Sequence, residues 1–400
     1  MRNYLKTKGV KIVDSQGKAV YLNGVNFGGW LMMEAYFMLA PNKPAHQFKN
    51  EFKDRLGARA LKEFENGFEG NFIREDDLRN IARMGFNCIR LPFNHRLVEK
   101  KPYQYDQEGL KIIDRVFQWA KKYKIWIILD LHAAWGSQNH DWHSDSDGRA
   151  LLWSSREYQK WTFALWEFLA DRYKDTEYLA GYDLLNESVI DDARLLNRFY
   201  HELIKHIRCS DKKHILFIEG NKWATDLQCL DKFNDNNYAL SIHFYTPIQM
   251  TFNYVPHLKY PSKAKGYVYN KKMMKEHLAT YQKLSKEHQA PVFVGEFGVN
   301  YRENHCGEGD WLKDILSCFN QFGFHWTYWT YKAIKNGCFP DGVLSYYHNP
   351  PWVHREGPLY GWDTYAQHWT KSKKDMIRSW QTSEFQVNEN VLKVLKNAQR

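Results

Sequence analysis

Short runs of β-branched and aromatic residues alternate along the chain with longer stretches in which apolar residues recur at i, i+3 and i+4. The short runs fall at residues 22–26, 87–91, 126–131, 181–185, 214–218, 238–243, 291–295 and 325–329, and read as eight strands. Helical periodicity marks residues 76–84, 108–122, 158–173, 193–207, 272–287 and 311–322, between most of those strands. Strand and helix in alternation predict repeated βα units that build one parallel sheet. Ahead of them, the two alternating apolar runs of VKIVDSQGKAVYL flank Ser15-Gln16-Gly17. That turn-forming cluster predicts a short N-terminal hairpin, expected to plug one end of the barrel. Three irregular stretches, 27–75, 244–270 and 332–367, all follow C-terminal ends of predicted strands.

Length narrows the architecture. A (β/α)8 TIM barrel takes about 250 residues and can exceed 400 with insertions, so one elaborated barrel accounts for all 400 residues as a single α/β domain. No Ser/Gly linker or internal repeat divides residues 1–400. In this fold the βα loops at the C-terminal ends of the strands carry the active site, which is where the long insertions are expected.

Composition changes the picture only slightly. With 44% hydrophobic and 26% charged residues the chain reads as globular rather than disordered. Its 16 Trp and 25 Tyr suit the stacking of sugar rings, although an aromatic-rich core accounts for them equally well. The formal charge of +10 raises a nucleic-acid partner, but Lys271, Lys272, Lys275, Lys283 and Lys286 fall on one predicted helix and read as a solvated face; no nucleic acid is expected. Six scattered cysteines without a CxxC pair read as free thiols. The N-terminus lacks the apolar core of a secretory signal, and no run of 18 apolar residues occurs. A cytoplasmic protein without membrane insertion is expected, or a secreted one if a leader has been removed. Nothing in the pattern sets an oligomeric state.

Chemistry-bearing residues recur where predicted strands end. Arg90-Leu91-Pro92 closes the second, Asp130-Leu131-His132 the third, Asn186-Glu187 the fourth, His243-Phe244-Tyr245 the sixth, Glu296 the seventh and Trp329 the eighth. Glu187 and Glu296 are distant in sequence, yet a closed barrel puts both on one rim, across a space wide enough for a sugar. Glycosidic cleavage needs such a pair, one carboxylic acid to protonate the leaving oxygen and one carboxylate for the oxocarbenium-like centre, and a separation of about 5 to 5.5 Å gives retention. Taken singly, Arg90 reads as a rim ion pair, His132 and His243 as satisfied core histidines, and Trp329 as a core aromatic. Their joint occurrence at strand ends favours a site. Two rivals from other classes remain: a metal-dependent hydrolase built on His132, His140, Asp141, His143 and Asp145, whose spacing lacks a fixed ligand pattern, and a sugar-binding barrel without catalysis.

LLNESV, HFYTP, VGEFGVN and YWTYK resemble the strand-end motifs of glycoside hydrolase family 5. The blocks NGVNFGGWL and DLHAAWGSQNHD resemble corresponding parts of its exo-β-1,3-glucanases and cellulase-like members, so the similarity runs from about residue 20 to residue 332. The resemblance implies a retaining glycosidase with Glu187 as acid/base and Glu296 as nucleophile. It implies that Asn186 binds the sugar 2-hydroxyl, that Arg90 sits beside the nucleophile, and that Tyr245 donates to the same carboxylate. His132 and His243 would complete the floor, with His243 near the acid/base, and Trp329 would form the stacking platform. Glu34 and Asn139 resemble positions that hold hydroxyls of the non-reducing-end glucose. The implied substrate is a β-1,3- or β-1,4-glucan or oligosaccharide, with mannans, mannosides and glycolipids as alternatives within the family. No cofactor is expected, since two carboxylates and water suffice. Ser188 stands where many members have Pro after the acid/base. Trp135, Trp142, Trp153, Trp223, Trp352 and Trp362 all fall in or near loops as candidate sugar contacts.

Overall fold

The computed structural model describes residues 3–264, 266–334, 337–346 and 357–400. Eight parallel strands close into a barrel: β1 (Asn23–Asn26), β2 (Cys88–Asn94), β3 (Trp126–Ala133), β4 (Leu179–Asp183), β5 (Ile215–Glu219), β6 (Tyr238–His243), β7 (Val292–Phe297) and β8 (His325–Tyr328). Each lies where an apolar run predicts it, within a few residues. Such runs form parallel strands because helices cover one face and the barrel interior takes the other, so both faces are apolar. The closure is sequential, with β8 pairing β1 and β5 pairing β6.

Helices α1 (Ala45–Leu56), α2 (Ala58–Asn71), α3 (Glu75–Arg83), α4 (Gln107–Tyr123), α5 (Arg156–Tyr173), α6 (Ala193–Ser210), α7 (Lys271–His288), α8 (Glu308–Phe322), α9 (Trp362–Ser379) and α10 (Glu389–Asn397) accompany the barrel. Four of them correct the sequence reading. The stretch 27–75, expected to be irregular, contains α1 and α2; α9 begins inside the stretch 332–367, and α10 follows it. Gly57 at φ 86 ends α1 and starts α2, and this interruption hides two short amphipathic helices from a periodicity scan. Conversely, the β5–β6 connection carries no full helix, only a four-residue turn at Asn221–Ala224.

The N-terminal hairpin forms, but Lys6–Lys8 pairs with Lys11–Val13 about Gly9, while the Ser15–Gly17 turn is closed by a single bridge between Val13 and Ala19. Leu5 and Ile12 pack with Leu22, Ile128, Phe217 and Phe293 at the N-terminal ends of the strands, and so fill the bottom of the barrel. At the opposite end the strand register shifts at Ile242/His243, between Val294 and Phe297, and at Phe93/Asn94. Irregularities of this kind re-aim side chains at a barrel rim, and two of them flank His243 and Glu296. Among the described residues no helix is long and apolar enough to cross a membrane.

Candidate active site

Arg90 on β2 is fully buried and organises the floor. Its Nε donates to Asp183 at 2.8 Å, its Nη1 to Glu296 Oε1 at 2.8 Å, and its Nη2 to Asn186 Oδ1 at 2.8 Å and Glu219 at 3.0 Å. Asp130 lies 3.1 Å from the same Nη2. A guanidinium carries five donors in a fixed fork, so this one side chain sets the position of several carboxylates at once. Crowding these acids out of water has a cost that shows in their titration. Burial raises Asp130 well above the usual range, Arg90 opposes that, and Asp183, its cross-strand neighbour, adds to it. Asp183 is itself pushed up to about 7 by burial and by Glu219.

The two rim glutamates meet above this floor. Glu296 Oε1 takes the Arg90 bond, and its Oε2 accepts from Tyr245 at 2.8 Å. Glu187 Oε1 lies 2.6 Å from His243 Nδ1, whose Nε2 is 3.2 Å from Glu219. Side-chain ligand atoms of Glu187, His243 and Glu296 all lie within 4.8 Å of one another. Burial alone would lower His243, but Glu296 and Glu219 outweigh it and hold the imidazole well above its ordinary value. Burial alone would raise Glu187, but the hydrogen bond and charge of His243 bring it down to about 2. In the free protein the proton of this pair therefore resides on His243.

The Glu187 backbone has φ 48, in the left-handed region that a glutamate seldom adopts. Neighbours hold it there. Glu219 accepts from its N–H at 2.6 Å, and Asn139 Nδ2 donates to its carbonyl at 2.9 Å.

Asn139 is fully buried, beneath the residues that line the cleft. Its Oδ1 is taken by the Asp141 N–H, so the side chain braces the loop that carries Glu187. Asn186 is likewise buried, with Oδ1 on Arg90 and Nδ2 3.5 Å from His132 Nε2. Glu34, by contrast, does line the cleft, 3.8 Å from His132, and its buried Oε1 has no hydrogen-bond partner among the described residues. Burial, then Glu296 and Glu187, raise its carboxyl well above the usual range.

Trp329 lines the cleft at the end of β8. Its ring stacks on His132, with centroids 5.6 Å apart and 9° between planes, and its Nε1 donates to Tyr36 at 2.6 Å. Gly28 makes room for it, since a Cβ there would stand 2.9 Å from the indole. His132 is in turn bonded to Asp130 at 2.7 Å and held neutral, because burial lowers it well below its ordinary value.

The cleft over these groups has a volume of about 790 Å³. Tyr36, Trp142 and Phe339, from the loops after β1, β3 and β8, contact one another along one wall, with ring centroids 4.8–5.9 Å apart.

The Cellulase (glycosyl hydrolase family 5) family model matches residues 48–335. The chain belongs to glycosyl hydrolase family 5. A β-xylosidase of Phanerodontia chrysosporium is 33% identical over 353 residues, covering 83% of this chain and 71% of that protein. Endoglucanase C of Acetivibrio thermocellus is 26% identical over 344 residues, covering 78% and 91%. A glucan 1,3-β-glucosidase of Blumeria graminis is 28% identical over 239 residues, covering 56% and 55%. In fold, the crystal structure of endoglucanase Cel5A from Thermotoga maritima superposes with a TM-score of 0.60 at 22% identity, over 90% of this chain and 96% of that one. As a family 5 member the protein is an O-glycosyl hydrolase, and its substrate is a carbohydrate.

Two features of this family 5 site escaped the sequence reading. Asp183 and Glu219 were given no role, yet both are fully buried partners of Arg90. The available signal was an ionisable residue inside an apolar strand, in GYDLL and in LFIEG, where a charge is stable only if paired. Among the loop tryptophans, Trp142 and Trp223 line the cleft. Trp135, Trp153 and Trp362 are packing residues, against Trp161, Phe199 and Phe48 respectively, and Trp352 lies outside the described residues.

The proposed metal set does not assemble. His132 is taken by Asp130, Asp145 is bonded by Arg96, Asn94 and His46, and His140 is exposed. Glu187, His243 and Glu296 are close enough to hold an ion, but their ligand atoms are engaged with neighbours, Glu296 by Arg90 and Tyr245, and His243 by Glu187 and Glu219. A second cleft, of about 830 Å³, lies between α1–α2 and α4. It carries ion pairs such as Lys49–Glu65 and none of the groups around Arg90, Glu187 and Glu296.

Proposed function

We propose that this protein is a retaining β-glycosidase in which Glu296 is the nucleophile and Glu187 the acid/base, acting on β-glucosidic linkages of a β-1,3- or β-1,4-glucan or its oligosaccharides. The observation that carries the reading is the separation of the two carboxylates, oxygen to oxygen within 4.8 Å. Retention goes with carboxyl groups about 5 to 5.5 Å apart, whereas inversion needs about 6.5 to 9.5 Å to admit a water.

In the first step Glu296 attacks the anomeric carbon as the glycosidic bond breaks, and the departing oxygen takes a proton from Glu187. In the second, water gives a proton to Glu187 and its oxygen displaces Glu296. Arg90 and Tyr245 aim the nucleophile through one oxygen each. His243 stores the proton in the free enzyme. When substrate displaces water, the ionised Glu187 loses solvation, and the proton crosses the 2.6 Å hydrogen bond from His243 Nδ1 to its Oε1.

The aromatic wall of Tyr36, Trp142 and Phe339 supports a short cleft and release of sugars from chain ends. A β-xyloside is the second reading, favoured by the 33% identity to a protein named a β-xylosidase. Incubation with 2-deoxy-2-fluoro glucosyl and xylosyl fluorides, followed by peptide mass spectrometry, tests both readings. The expected label is one glucosyl unit on Glu296. A label on another residue would overturn the nucleophile, and faster labelling by the xylosyl reagent would overturn the glucan reading.

A further inference from the structure

We infer that Asp141 and His143 form a bracket that ties proton delivery by Glu187 to a leaving group seated on Trp223. The inference rests on the reading of Glu187 as the acid/base.

The two Glu187 oxygens have different neighbours. Oε1 faces His243, while Oε2 lies 3.4 Å from His143 Nδ1. His143 Nε2 is 3.6 Å from Asp141 Oδ2, and that same oxygen accepts from Trp223 Nε1 at 2.8 Å. Trp223, Asp141, His143 and Glu187 thus form one contiguous line drawn from three loops, those after β3, β4 and β5. The backbones interlock as well, with Trp223 N–H on the Ser188 carbonyl at 3.3 Å and Val189 N–H on the Gln138 carbonyl at 3.1 Å.

Direction follows from the chemistry. A general acid gives its proton to the departing oxygen, so the leaving group sits on the acid's side of the scissile bond. On that side Trp223 is an aromatic of the cleft lining that stays 42% exposed, and its indole nitrogen is already anchored. An aromatic plane with one polar edge tied down suits a sugar ring. His143 Nε2 has Asn139 Nδ2 as a donor at 3.5 Å, and Asn139 Oδ1 takes the Asp141 N–H, so the His143 hydrogen is assigned to Nδ1, where, directed at Oε2, it fixes the carboxyl rotamer and stabilises the carboxylate left when the proton departs. The 3.4 Å separation is long for a hydrogen bond, as is common before substrate is bound. His143 keeps its own hydrogen throughout, and the proton moves only from Glu187 to the glycosidic oxygen. His143 is therefore a positioning residue, and Trp223 a determinant of which leaving groups are delivered their proton.

The test compares a cello- or laminari-oligosaccharide that the parent cleaves with the matching dinitrophenyl glycoside, whose leaving group needs no acid. His143→Gln is expected to lower kcat/KM on the oligosaccharide about tenfold or more and on the dinitrophenyl glycoside less than about threefold. Equal falls on both substrates would overturn the bracket. Asp141→Asn, checked by thermal melting, serves if His143→Gln does not fold, with the same two outcomes. In a double-mutant cycle of Trp223→Ala and His143→Gln, the combined loss on the oligosaccharide is expected to be smaller than the product of the single losses, and a simple product would break the link. Glu187→Gln provides the separate control: it must show the same leaving-group selectivity and yield glycosyl azide when azide is added. If it does not, the assignment of Glu187 fails, whereas a normal Glu187→Gln with equal losses in His143→Gln condemns the bracket alone.

Discussion

Arg90 shows how one residue can set the charge state of a whole site. Its guanidinium touches four carboxylates and opposes the rise that burial imposes on two of them, Asp130 and Asp183. The proton of the neighbouring His243–Glu187 pair is favoured on His243, and a pH dependence follows. The folded His243 holds its proton above the ordinary imidazole value, so the protonated pair persists as pH rises through that value and is lost only on the alkaline side. The alkaline limb of kcat/KM is therefore expected above about 6.5. In His243→Asn the limb should move to lower pH, because Glu187 then titrates without a partner to store its proton. A limb unmoved by the substitution would show that the pair does not control the acid.

Tyr245 offers a second test at this scale. Burial and Glu296 keep its hydroxyl neutral, so it remains a donor to Glu296 Oε2. A hydrogen bond to a charged group contributes about 1.5–3 kcal/mol, so Tyr245→Phe should lower kcat roughly ten- to a hundredfold. Steady-state rates on one aryl glycoside suffice to check it. At this scale the positions of Glu187, Glu296, His243 and Tyr245 were legible because each stands where an apolar run stops, and that of Arg90 because it is a charge inside one. The bonds of Asn139 to the Glu187 carbonyl and the Asp141 N–H were not legible, because a short amide looks the same in sequence whether it meets a ligand or braces a loop.

Among the elements, the insertion after β1 depends on the C-terminal segment. Phe48 and Phe52 on α1 and Phe64 and Phe68 on α2 recur at i, i+4 spacing, which points them to one face of each helix. They pack on Trp362, Tyr365 and Trp369 of α9 and on Trp380 just beyond it. Phe64 lies at the centre, fully buried, with ring centroids 5.1–5.7 Å from Phe48, Phe52, Tyr365, Trp369 and Trp380. Phe64→Ala should therefore cost about 3–5 kcal/mol of stability, read by urea denaturation, and a cost below about 1 kcal/mol would mean the cluster is loosely packed. The same i, i+4 aromatics were visible in the sequence. What concealed the helices was Gly57 between them and a partner helix some three hundred residues away.

Across the whole molecule, the long connections decide how much of a carbohydrate can enter. The barrel supplies the chemistry, and the loops after β1, β3 and β8 bring Tyr36, Trp142 and Phe339 together beside it. With a soluble β-glucan, reducing ends are expected to accumulate while viscosity falls slowly, the signature of cutting near chain ends; an early collapse of viscosity would mean that the cleft admits chain interiors. The sequence by itself determined the barrel, because eight apolar runs in alternation with helical periods have few ways to bury both faces of their strands. It also determined which residues reach the C-terminal rim, because strand ends are set by where those runs stop. Tertiary structure alone decided which rim residues touch. Closing the sheet brought Asp183 and Glu219 onto Arg90, set His243 against Glu187, and placed Asn139 under the Glu187 backbone. Those outcomes depend on distances of a few ångströms between strands far apart in the chain, and a linear pattern does not encode them.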